Sequence, residues 1–263
     1  SPTLRMRQGE VIHSTIHSRV NTHTIHHHGM NATPFNDGVG HTSFEVNGRY
    51  TYQFQPKEAG TYFYHCHKNT VLHFEMGMYG LMIVDPPSGP GRVFEGGPRY
   101  DVEHAWILDD LDPRWREINH QGGQCGEDVG LDDFNPKYFV ISGAFAPLTL
   151  TDPRAVVRAQ AGQRILIRFL NASYGIVRGT LGVNARVVGV DGRGLGRPSA
   201  PWSRPIPIAA GQPFETTAAQ RYDLLIDPLP PGTYNVRFEF LNWVTRKIQD
   251  NGRGVAETRI IVT

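Results

Sequence analysis

With only two cysteines in 263 residues, a disulfide framework is excluded and at most one bridge could form. No apolar run approaches the roughly 18 residues of a membrane-spanning helix. Behind Ser1-Pro2-Thr3-Leu4-Arg5 there is no apolar stretch of signal-peptide type, though a processed N-terminus would read the same way. An excess of one charge is also missing. The 26 Lys and Arg nearly balance the 25 Asp and Glu, which argues against a nucleic-acid binder. No stretch keeps a 3.6-residue hydrophobic period over three turns, so long helices are not expected.

What the chain has instead is punctuation. Its 29 glycines and 19 prolines break it into short segments. Between them lie alternating or apolar runs such as Tyr50–Phe54, Thr61–Tyr64, Gly80–Val84, Ala105–Leu108, Arg164–Leu170 and Tyr222–Ile226, each read as a strand. An all-β sandwich architecture follows. The stretch from Asp85 to Arg92, continuing to Gly96-Gly97-Pro98, is too rich in Pro and Gly for a central strand. It predicts a domain at 1–88, a linker at 89–99 and a second domain at 100–263.

The two parts read as repeats. Arg5-Met6-Arg7-Gln8-Gly9-Glu10-Val11-Ile12 parallels Arg158-Ala159-Gln160-Ala161-Gly162-Gln163-Arg164-Ile165, and Ala59-Gly60-Thr61-Tyr62 parallels Pro231-Gly232-Thr233-Tyr234. Their histidine content differs sharply. Of 12 histidines, eight fall between His23 and His73, and only His104 and His120 lie beyond residue 100. In the second part, Ile176, Gly179 and Leu181 stand where the first has His23, His26 and His28, and Arg237-Phe238-Glu239 stands for His65-Cys66-His67. The chemistry is therefore expected in residues 23–78.

Strand alternation sorts these residues by face. His26 and His28 share one face, as do His65 and His67, while Cys66 points away from its neighbours. One group is then His23, Cys66, His73 and Met78, a His₂Cys set with a weak axial thioether, as in blue-copper electron-transfer sites. The other is His26, His28, His65 and His67, four imidazoles suited to copper that meets dioxygen or another small oxidant. Cys66 and its flanking His65 and His67 form a short covalent link between the two sets and are the candidate catalytic residues. Met76 is an alternative axial donor. His27, His13, His17, His41, His104, His120 and Cys125 are read as structural or surface residues, and the acidic runs near Asp109–Asp112, Glu127-Asp128 and Asp132-Asp133 as solvated surface or, alternatively, as an attractor for a cationic reductant such as a metal ion.

The His23-Thr24-Ile25-His26-His27-His28-Gly29 stretch, the His65-Cys66-His67 tripeptide and the His73–Met78 spacing resemble the multicopper oxidase family. Gly77-Met78-Tyr79-Gly80 and the apolar strand after it continue the resemblance. It extends more weakly through Asn171-Ala172-Ser173-Tyr174 and Gln220-Arg221-Tyr222-Asp223. The resemblance implies two consecutive cupredoxin-like Greek-key β-sandwiches and copper as cofactor, with type 1 copper at His23, Cys66, His73 and Met78. It further implies one half of a type 2/type 3 cluster at His26, His28, His65 and His67. The activity implied is one-electron oxidation of a small-molecule or metal-ion reductant coupled to dioxygen reduction, in the periplasm or outside the cell.

The chain departs from the family in two ways. The Cys66–His73 spacing looks more like two-domain members with blue copper in the first domain. A trinuclear cluster of this family takes eight histidines, and no His-x-His pair exists after His67. A second copy of the chain, or a further cupredoxin domain, is expected to supply the rest. The alternatives are an electron-transfer protein without a complete cluster and, further off, a copper nitrite reductase. The latter pattern has Asp three residues after the first blue-copper histidine, where this chain has His26.

Overall fold

A computed structural model describes residues 1–263 and is almost wholly β-sheet, with strands from Leu4–Arg7 to Val255–Val262 and only short helical turns. Every ladder joins strands that lie on the same side of the 86–101 segment. Before it, one sheet runs Leu4–Arg7, Tyr79–Asp85, Gly60–His65, His26–His28, and the Ile12–His23 and Val46–Phe54 strands form a separate antiparallel pair. After it, a sheet runs Val157–Ala159, Val255–Val262, Gly232–Leu241, Ile176–Leu181, with Pro213–Thr216 added at its edge.

The two sheets repeat the same connections. Leu4–Arg7 lies parallel to Tyr79–Asp85, and Val157–Ala159 parallel to Val255–Val262. The next two pairings are antiparallel in both. The segment Arg237-Phe238-Glu239 lies in the strand that corresponds to Gly60–His65, with no helix at either place. These are cupredoxin-like β-sandwiches. The second also carries an extra Val102–Leu111, Tyr138–Ile141, Ala144–Phe145 ribbon beside Ile165–Asn171.

The larger core belongs to the second part. Trp106 is fully buried, meets the Phe238 ring edge-on at 5.4 Å and donates its indole N–H to the Ala155 carbonyl at 2.8 Å. The first part has a smaller cluster of Met6, Met30, Phe54, Tyr62, Met82 and Val84. Small cores leave little margin, and here the shortfall is met by packing against the neighbour. Phe63, Leu81 and Ile83 form one cluster with Leu170 and Ala172.

The Pro/Gly-rich segment expected as a linker is itself packed. Val93, Phe94 and Tyr100 are buried with Ala59 on one side and Leu166, Val188 and Leu225 on the other. Charges join the two parts as well. Arg5 pairs with Asp85 and Glu103, Glu103 with the fully buried Arg168, and Arg168 with Asp223, whose carboxylate accepts the Thr61 hydroxyl.

Replacing Phe94 by Ala should cost about 3–5 kcal/mol in urea unfolding, as for other buried Phe→Ala changes. A loss under about 1 kcal/mol, the level of surface changes, would show that this segment is a spacer rather than a shared core.

Candidate metal centre

His26 and His65 face each other across the antiparallel pairing of His26–His28 with Gly60–His65, and His28 pairs with Phe63. The two-residue period brings His26, His28 and His65 to one side. One ligand nitrogen from each lies within 4.8 Å of the others. His27 goes to the opposite side, fully buried, with its ring 4.3 Å from Phe54 and 5.7 Å from Tyr52. It is a core residue, which decides between the structural and surface readings that its sequence position left open.

Hydrogen bonds assign the ring nitrogens. His26 donates Nδ1–H to the Asp37 carbonyl at 2.7 Å, and His65 donates Nδ1–H to the Cys66 carbonyl at 2.8 Å. The Nε2 lone pairs of both are thereby left for a metal, the arrangement in which an outer partner orients a ligating imidazole. His65 Nε2 lies 3.3 Å from His28 Nδ1. His67 stands at the rim, its ring 5.2 Å from that of His26 and 5.6 Å from that of His65. Its backbone N–H is held by the Thr24 hydroxyl at 2.8 Å, and its Nδ1 is buried with no hydrogen-bond partner.

On the other side of this segment, Cys66 Sγ lies 3.3 Å from His73 Nδ1 and 3.6 Å from His23 Nδ1. A tight turn makes this set. The short helix Thr70–Glu75 starts at Asn69 in the left-handed region (φ 44°), and Gly77 (φ 84°) reverses the chain behind it. Met78 then returns to Cys66, accepting the Cys66 N–H at 2.9 Å and donating its own to the His73 carbonyl at 3.0 Å. Met78 lines the cavity that also exposes His23 and Cys66, whereas Met76 does not.

One residue beside this set was missed. His120, read from sequence as a lone structural histidine, sits with its ring 5.1 Å from His73 and 6.0 Å from His23. Its carbonyl accepts His73 Nε2–H at 3.0 Å and Asn69 Nδ2–H at 3.1 Å, which fixes the His73 tautomer. Its own Nδ1 is buried and unpartnered. Nothing in the spacing of His120 marks it, because its loop reaches the site only through the fold.

Burial shapes the protonation of both sets. It pushes His28 down to about 3, and His65 and His73 to about 4, and it lowers His23 and His67. It also raises the Cys66 thiol. Neutral imidazoles are the form that ligates a metal, and a thiol held protonated gives up its proton on binding one. The orphaned His67 Nδ1 and the mixed thiol–imidazole and all-imidazole donor sets fit copper.

Comparison with known proteins agrees. Residues 1–89 match the family model described as multicopper oxidase. The chain carries a multicopper oxidase domain. An L-ascorbate oxidase of Cucumis sativus is 32% identical over 137 residues, which are 49% of this chain and 21% of that protein. Copper resistance protein A of Escherichia coli is 37% identical over 123 residues, 45% of this chain and 18% of that protein. The alignments thus span about a fifth of these relatives' length. The solved blue copper oxidase of Nitrosomonas europaea covers the whole of this chain and is itself covered to 76%, with a TM-score of 0.76 at 23% identity. That level of identity speaks for the fold. No helix is long and apolar enough to cross a membrane.

The pKa shifts fix a pH dependence. Below about pH 6.5, the ordinary histidine value, the unfolded chain takes up protons that folded His28, His65 and His73 refuse. Stability of the metal-free protein should therefore be full above pH 6.5 and fall as the pH is lowered toward 4. Urea midpoints measured from pH 7.5 to 4.5 check this, and a flat profile would show that these imidazoles are not held neutral.

Proposed function

We propose that this chain is the copper-carrying part of a multicopper oxidase that oxidises an electron-donating small molecule or metal ion and reduces dioxygen. The observation that carries the reading is the back-to-back placement of a Cys66–His23–His73 set and a His26–His28–His65 set on one chain segment. Bound copper supplies one-electron redox chemistry, which these side chains lack. Cys66, His23 and His73 hold one ion, with Met78 beside them as the weak fourth donor. His26, His28 and His65, with His67 at the rim, hold the other. The His120 carbonyl and Asp37 keep the ligating nitrogens aimed inward, and Phe63 and Phe74 form apolar walls beside the histidine set.

The histidine set opens into a cavity of about 370 Å³ bounded by Thr70, Val71, Ala172, Tyr174 and Ala218. This reading assigns that opening to a second copy of the chain or to a further cupredoxin domain, which brings the remaining histidines. It also keeps the division into a copper domain at 1–88 and a copper-free domain at 100–263, and the periplasmic or extracellular location that the resemblance implies.

The copper-loaded chain should show an intense visible sulfur-to-copper band. Cys66→Ser should abolish that band and leave copper at the histidines. A colourless copper-loaded wild type would sink the reading. Met78→Leu should keep the band and raise the reduction potential, since it removes a donor that favours the oxidised ion. Oxygen uptake should appear only in an assembly that supplies the missing histidines. One copper per chain without oxygen uptake in any assembly would leave an electron-transfer protein.

A further inference from the structure

We propose that Arg221, from the copper-free second part, is a positioning residue for the imidazoles of His28 and His65, acting through the Phe63 ring. This rests on reading the His26–His28–His65 set as a copper site. The Phe63 ring stacks on His28 at 4.4 Å and 25° and on His65 at 5.2 Å and 21°. Arg221 covers the same ring, with its guanidinium carbon 5.4 Å from the ring centre. A guanidinium–aromatic–imidazole stack therefore crosses from one part of the chain into the ligand set.

The guanidinium is itself fixed. Its Nη1 donates to the Ala219 carbonyl at 2.7 Å and lies 3.2 Å from an Asp191 carboxylate oxygen, and its Nε donates to the Thr61 carbonyl at 3.4 Å. Arg221 itself is buried, at 3% exposure, whereas the Asp191 carboxylate it meets is partly exposed. A second route reaches the same histidine. Gly29 follows His28 at φ +90°, and a Cβ there would lie 2.9 Å from Arg221 Nη2 and 3.0 Å from the Tyr62 ring. The backbone that carries His28 thus passes so close to the guanidinium that any side chain at Gly29 would press on it, an approach that glycine permits. A planar, delocalised cation suits this place because it can lie over an aromatic ring while its edge donates to carbonyls in a fixed fork, a geometry that a lysine ammonium reproduces only in part. Arg221 touches none of the ligating nitrogens. Its part is to hold Phe63 and the His28–Gly29 backbone so that the imidazoles converge.

The test uses the full chain with Arg221→Gln, Arg221→Lys and Phe63→Leu. Copper(I) is titrated against a competing chelator, with the Cys66 visible band of the oxidised protein as an internal control of folding. In Arg221→Gln and Phe63→Leu the histidine set should lose about 10–100-fold in copper affinity, the range seen when an orienting partner is removed, while the Cys66 band is unchanged. Arg221→Lys should recover part of that loss. In the metal-free protein, the imidazole NMR signals of His28 and His65 should broaden in Arg221→Gln. Unchanged affinity and unchanged imidazole signals would overturn the proposal. Parallel loss of both the Cys66 band and histidine-bound copper in Arg221→Gln and Phe63→Leu would also overturn it, by assigning Arg221 to the fold alone. A wild type with no copper at the histidines would instead fail the copper reading before any substitution is made.

Discussion

The constraint on which the site depends is the alternation of side chains along an extended backbone. Three consecutive residues, His65, Cys66 and His67, cannot all face one centre. The pairing of Gly60–His65 with His26–His28 turns that restriction into a division of labour. Imidazoles gather on one side of the segment and the thiol is delivered to the other, where His23 and His73 wait. Two donor sets of different softness then lie a residue apart without either intruding on the other. Softness and geometry, more than raw affinity, decide which metal state each set prefers.

The rest of the fold serves to keep that segment still. The first part has too small an apolar core to do so alone, and it borrows surface from the second. Leu170 and Ala172 complete the packing around Phe63, and Phe94 fills the space between Ala59 and Leu225. The buried Arg168 is costly to remove from water and is tolerated because Glu103 and Asp223 meet it on two sides. The same junction brings His120 against His73 and Arg221 against Phe63. The second part thus supplies part of the scaffold around the candidate ligand set.

Much of this was legible in the sequence, for a physical reason. Alternation is a local property, so the faces of His26, His27 and His28, and of His65 and Cys66, could be assigned from spacing alone. Gly and Pro punctuation marked strand ends, and the repeated openings at Arg5 and Arg158 corresponded to strands in the same place of the same sheet order. Met78, and not Met76, lines the cavity that also exposes Cys66 and His23. The segment 89–99 was less well read. Its composition speaks against a regular strand and says nothing of burial, so the packing of Val93 and Phe94 was not visible.

The sequence by itself determined which residues can act as ligands and on which side of the chain each one stands, because both follow from side-chain chemistry and a two-residue period. Only the tertiary structure decided what surrounds those ligands. That His120 fixes His73, that Asp37 orients His26, and that Arg221 lies over Phe63 are contacts between segments far apart in the chain. Such contacts are set by how two sandwiches pack, and no local spacing rule encodes that packing.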